Sequence, residues 1–132
     1  MNIFRRIFSK TNERKKTAAD RLADTEINSI DEFSRLPVDN RIIAIMKLGN
    51  APTINLIHFD IFRFAILSDP SINVKFAALK RIHFFKEHPD LIPMINKLKE
   101  EGHYKGLEPY FSMALHRLGL ISLQELERII NK

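Results

Sequence analysis

The sequence predicts an all-α fold arranged as a short stack of about three helix pairs with helical segments ahead of it, and three observations carry that prediction. Apolar residues recur at spacings of three and four, with no period-two alternation of the kind a half-buried strand shows. Capping residues, prolines and glycines fall where helices start and stop. A ten-residue helical pattern also recurs along the chain: NRIIAIMKLG at 40–49, VKFAALKRIH at 74–83 and YFSMALHRLG at 110–119. This register aligns Ala44, Ala78 and Ala114, then Lys47, Arg81 and Arg117, then Leu48, Ile82 and Leu118. Its period is that of stacked helical repeats, in which small residues let neighbouring helices approach and larger ones fill the seam.

The elements follow in order. The segment MNIFRRIFSK sets Ile3, Phe4, Ile7 and Phe8 on one helical stripe beside Arg5, Arg6 and Lys10. It includes a twin-arginine core, but a secretory signal needs an apolar stretch of roughly 7 to 15 residues after the basic one, and TNERKKTAAD follows instead. The chain is therefore expected to be cytoplasmic. Three readings remain for its start: a helix docked on the domain, a membrane-surface foot, or a disordered basic arm. Ser29 and Glu32 form a capping box for a short helix to about residue 35, before Pro37. The next helix spans about 39–48 and is expected to stop at Gly49 in a left-handed cap. Pro52 is expected to open a helix to about 67, and Asp69-Pro70 to act as N-cap and first position of another to about 87. His88-Pro89 begins a further helix closed by Gly102; another spans about 107–118, followed by Gly119. Ser122 and Glu125 make a second capping box for the last, about 123–131.

Length and composition fit one globular domain over residues 1–132. Without cysteine there are neither disulfides nor thiolate metal ligands. The net charge is +5, and all of it sits in residues 1–21, where Arg5, Arg6, Lys10, Arg14, Lys15, Lys16 and Arg21 face Glu13 and Asp20. The rest is balanced, so the body lacks the electrostatic footprint of a DNA-reading groove. Nucleic acid is an unfavoured partner for that reason. Peripheral contact with anionic membrane through residues 1–21 is a lesser alternative.

The stretch DPSINVKFAALKRIHFFKEHPDLIPMINKLKEEG resembles a HEAT repeat of the bacterial kind. It has the Asp-Pro turn, Val74-Lys75 where the family usually has Val-Arg, the Ala77-Ala78 pair, and Pro89-Asp90-x-Ile92-Pro93 ahead of the second helix. Residues 36–68 resemble a looser copy, with Asp39 and Arg41. Residues 106–131 resemble a third, which lacks the turn aspartate and has Phe111 in place of the basic residue. With residues 1–35 as an N-terminal basic and capping segment and 69–102 as the middle repeat, the resemblance covers roughly three-quarters of the chain. It implies a short α-solenoid. It also implies a ladder between repeats from turn aspartate to basic residue, carried over to Asp69 with Lys75 and Asp39 with Arg41, and a concave surface lined by the second helices.

No chemistry-bearing motif is found. The five histidines never fall at the spacing of four that aims two ligands from one helix face, no HExxH occurs, and the four glycines sit at helix ends instead of forming a phosphate cradle. No catalytic residue, metal or cofactor is expected. In PTINLIHFDIFRFAIL, residues 52–67, Thr53, Asn55, His58, Asp60 and Arg63 are scattered round the helical wheel, so the helix is covered on several sides or offers an adhesive face. Phe59, Phe62 and Phe64 are either core beneath N-terminal helices or a partner-binding patch, and MNIFRRIFSK finds its apolar partner there if it folds back. The expected activity is non-enzymatic protein binding through the second helices. Its candidate contacts are Asn55, His58, Phe62 and Arg63, then Asp90, Met94 and Lys97, then Gln124, Glu127 and Arg128. By size and fold the chain resembles the immunity proteins that bind and block toxins used between competing bacteria. HEAT-like DNA glycosylases are the rival resemblance, set against the neutral body and the lack of tryptophan.

Overall fold

The computed structural model describes residues 27–131 except Thr53. The expectations for MNIFRRIFSK and the rest of residues 1–26 lie outside the described residues. Seven α-helices occur among the described residues: α1 (Ile30–Ser34), α2 (Val38–Leu48), α3 (Phe59–Ser68), α4 (Ile72–Leu79), α5 (Leu91–Glu101), α6 (Tyr110–Arg117) and α7 (Leu123–Ile130). Single 3-10 turns precede or follow them at Leu56–His58, Ile82–Phe85 and His103–Leu107. Among the described residues there is no strand.

Both serines cap their helices as the sequence predicts, each through the serine half of its capping box. The Ser29 hydroxyl accepts from the Glu32 N–H, and that of Ser122 from the Glu125 N–H, each at 3.1 Å. Gly102 ends α5 in the left-handed region at φ 74°, where a side chain would be strained.

Elsewhere the boundaries move, each for a local reason. Gly49 does end α2, but at φ −98° it is not a left-handed cap. It is needed for space, because a Cβ there would lie 2.5 Å from Phe62 Cζ. Pro52 does not open a helix; the chain waits for Asn55, whose side-chain oxygen accepts from the Ile57 N–H and starts the 3-10 turn leading into α3. Asp69 is not an N-cap of the usual kind either. Its carboxylate accepts from the Ser71 N–H at 2.9 Å and otherwise turns inward, so α4 begins at Ile72.

Helix α4 stops at Leu79 rather than near 87. Ile82 and Phe85 must both reach the core, and the three-residue pitch of a 3-10 turn eclipses positions i and i+3, placing both on the buried side. The Phe85 ring then meets Phe62 and Phe59 at 4.6 and 5.9 Å between centroids. The following helix starts at Leu91, two residues later than His88-Pro89 suggests. Pro93 sits in its first turn, where an N–H has no helical partner to lose. Likewise α6 starts at Tyr110, with the Glu108 carboxylate accepting from the Ser112 N–H at 2.8 Å and from the Ser112 hydroxyl.

In packing, α2 lies against α4 and α4 against α6, so the three matching helices form a row. Ala44, Ala78 and Ala114 are all buried in it. The second helix of the first expected pair behaves differently. Helix α3 leans on α4 and is covered by α1, while Phe62 reaches the end of α2 at Gly49. One cluster of buried apolar side chains runs from Ile27 to Leu115, with Phe33, Phe59, Phe62, Phe85 and Phe111 fully or almost fully enclosed.

The ladder expectation needs a correction. Asp69 pairs with Arg41 of α2, not with Lys75 of α4: Arg41 Nε and Nη2 donate to its two carboxylate oxygens at 2.9 and 3.2 Å. Arg41 Nη1 donates to the Leu36 carbonyl at 2.6 Å. Arg41 and Lys75 occupy equivalent positions of the repeat, so the contact ties the α3–α4 turn back to the preceding helix. The pair is almost completely buried, and its bidentate geometry with a further N–H on Asp69 is what makes such burial tolerable.

Candidate functional site

The ten residues nominated from the sequence fall in different settings. His58, Phe62 and Met94 are buried, at 4%, 0% and 5% exposure. Phe62 is core, wedged between Gly49 and Phe85, and is corrected from a contact residue to a structural one. His58 Nε2 lies 3.1 Å from Asn28 Oδ1, which pins the start of α3 to the segment before α1. Phe59 and Phe64 are likewise spoken for. Phe59 is buried, and Phe64 meets Phe33 of α1 edge-on at 6.2 Å. The all-round apolar character of residues 52–67 thus reflects a helix covered on several sides.

Arg63, Asp90, Met94 and Lys97 are brought together. Arg63 projects from the middle of α3; Asp90 is the N-cap residue of α5, and Lys97 lies on the outer face of α5. What holds α3 to the start of α5 is a set of contacts around His88. Its ring stacks on Phe59 at 4.1 Å, and its Nδ1 accepts from the Asp90 N–H at 3.1 Å. The Arg63 guanidinium lies 5.3 Å over the Phe59 ring centre. Its Nη2 donates to Asp60 at 2.6 Å and its Nη1 to Asp90 at 3.4 Å, so both carboxylates are drawn to one cation.

The result is a shallow depression of about 320 Å³ lined by Arg63, Leu67, Asp90, Pro93, Met94 and Lys97. A second, of about 460 Å³, shares Leu67 and Lys97 with it and continues past Ile72 toward Glu101 and His103. Lys97 and His103 both approach Glu101, at 4.0 and 3.4 Å. The surface therefore mixes exposed apolar side chains, Leu67 and Ile72, with solvent-facing ion pairs. Chemically it offers charge-assisted hydrogen bonds and apolar contact to an incoming surface.

Gln124, Glu127 and Arg128 are exposed on α7, which packs on α6. Asn55 is exposed as the cap of the 3-10 turn ahead of α3. Neither group lines the two depressions. Leu67 and Pro93, which do line the first, were not nominated from the sequence. Leu67 is four residues after Arg63 on the same face, so helical spacing alone points to it. A weighting toward arginine, methionine and aromatic side chains passes over it.

Among the described residues no group of three or more His, Asp or Glu side chains is placed to hold a metal ion. No helix among them is long and apolar enough to cross a membrane. Comparison with family models, with curated proteins and with solved structures gives no match.

Proposed function

We propose that this chain is a non-enzymatic protein-binding domain, built as a short α-solenoid of HEAT-like helix pairs, that works by covering a partner with the surface formed by α3 and α5. The reading extends to an inhibitor of the immunity type, which neutralises a toxin by occlusion. The observation that carries it is the convergence of Arg63, Asp90, Met94 and Lys97, nominated from helical position and residue type, on one depression with exposed Leu67. The row of α2, α4 and α6 and the Arg41–Asp69 tie between successive helices support the stacked reading. An occluding protein needs a firm surface with mixed apolar and charged contacts, and no reacting group of its own.

The test compares the wild-type chain with Leu67→Glu and Lys97→Glu as affinity baits in the native host. Both positions are exposed, and neither holds the core. Arg63 is left in place because it fixes Asp60 and Asp90. The proposal expects one protein to be retained by the wild type and lost by both variants at unchanged circular dichroism, and the purified pair to rebind. Equal retention by all three baits would refute this surface.

A further inference from the structure

The face formed by the α2–α4–α6 row carries a different chemistry and stands independently of the α3–α5 surface. The repeat register puts Lys47, Arg81 and Arg117 at matching positions near the C-terminal ends of the three helices. Arg81 and Arg117, together with Lys80, rim a depression of about 450 Å³ whose lining also includes Asn50, His83 and Phe84. Each guanidinium is anchored by one N–H to a backbone carbonyl, Arg81 to Ala77 at 3.3 Å and Arg117 to Lys80 at 3.0 Å. Their remaining donors have no carboxylate partner among the described residues.

Cations near helix C-termini offset the helix dipole, and that accounts for one basic residue at or just past the end of each helix. It does not account for three cations from two helix ends meeting at one depression. Among the described residues, Arg35, Arg41, Arg63 and Lys97 each have a carboxylate within 4.0 Å, whereas Lys80, Arg81 and Arg117 do not. Beside them His83 Nδ1 is buried without a hydrogen-bond partner among the described residues. Its imidazole is held below the ordinary histidine pKa, by burial first and by the Arg117 charge second.

A second depression adjoins this one and shares Lys80 and Arg81 with it; its apolar lining includes Ile42, Met46, Phe76 and Tyr110. Met46 is 47% exposed. The two aromatic rings pack on each other at 4.5 Å, and Lys80 Nζ lies 4.8 Å over Tyr110, so these rings are already engaged and poorly placed to stack on nucleic-acid bases.

We propose that this face binds an acidic segment of a partner protein, with carboxylates received by Lys80, Arg81 and Arg117 and a neighbouring apolar side chain seated between Met46 and Tyr110. Charge complementarity selects the occupant. Arginine forks match carboxylates bidentately, and the strongly basic residues 1–21 of this chain have the wrong sign to fill the site.

The experiment measures fluorescence anisotropy of a labelled synthetic peptide, a glutamate pair followed by a leucine pair, with the full-length chain. An identical peptide with glutamines for glutamates and a single-stranded oligonucleotide serve as competitors. The acidic peptide is expected to bind at least roughly tenfold tighter than the amide version, and to weaken as salt rises. Arg117→Gln and Met46→Glu should each cost roughly tenfold, Lys97→Glu nothing, and the His83 ring signals should titrate at higher pH in the complex. Met46→Glu leaves both carbonyl anchors in place, so it remains informative if Arg117→Gln destabilises the fold. Equal binding of the acidic and amide peptides, displacement of the acidic peptide by the oligonucleotide at lower concentration than by itself, or undiminished binding by Met46→Glu would overturn the proposal.

Discussion

At the scale of single residues, the Arg41–Asp69 pair makes the largest demand. Two charges taken out of water are tolerated because the aspartate receives two guanidinium N–H groups and the Ser71 N–H, and the arginine reaches the Leu36 carbonyl. Removing one partner leaves a buried charge unmatched. Asp69→Ala is expected to cost about 3–5 kcal/mol in urea unfolding, and Arg41→Met in the same background to recover part of it. A loss for the double variant equal to the sum of the single losses would mean that the two side chains act separately. His83 gives a smaller, pH-dependent contribution. Its folded pKa is lowered from 6.5 by burial and then by Arg117, so as pH falls below about 6.5 the unfolded chain takes up a proton that the folded chain resists. Stability from this group is full above that value, declines as pH drops toward the folded pKa, and declines no further below it. Urea midpoints of wild type and His83→Gln, compared between about pH 7 and pH 5, should show the shallower fall for the variant.

At the scale of elements, glycines that look alike in the sequence do different work. Gly102 sits at φ 74° with nothing among the described residues within 4 Å of a Cβ, so Gly102→Ala should cost only the backbone term, about 1 kcal/mol. Gly49 has an ordinary φ but faces Phe62 at 2.5 Å from a Cβ, and Gly49→Ala should cost about 1–3 kcal/mol through displacement of a core ring. Thermal unfolding ranks the two, and the reverse order would contradict the packing at the α2–α3 junction. These cases also mark what local sequence can convey. Ser29, Ser122 and Gly102 act on groups within a few residues, and their capping roles are legible without tertiary information. Gly49, Asp69 and Ile82–Phe85 answer to distant partners, namely Phe62, Arg41 and the Phe59–Phe62 wall, and helix ends set by such contacts depart from the local pattern.

At the scale of the whole molecule, the recurrence of Ala44, Ala78 and Ala114 conveys the row of α2, α4 and α6, because small residues at matched positions are what close stacking needs. The surface was only partly legible. Helical position finds Arg63, Asp90 and Lys97, but residue type alone cannot separate an exposed interface side chain from a core one, and Phe62 and His58 are taken up by the interior. The balanced charge of residues 22–132 likewise hides how it is distributed: the α3–α5 surface pairs its charges, while Lys80, Arg81 and Arg117 stand together without carboxylates among the described residues. The central claim is that a partner sits on α3 and α5, and Lys97 reports on it with a control on its own helix. Lys99 is two residues further on, about 200° round the helix, and also exposed. Amine labelling of the free chain and of its purified complex should show Lys97 shielded by the partner and Lys99 unchanged; a Lys97 as reactive in the complex as in the free chain would contradict the account.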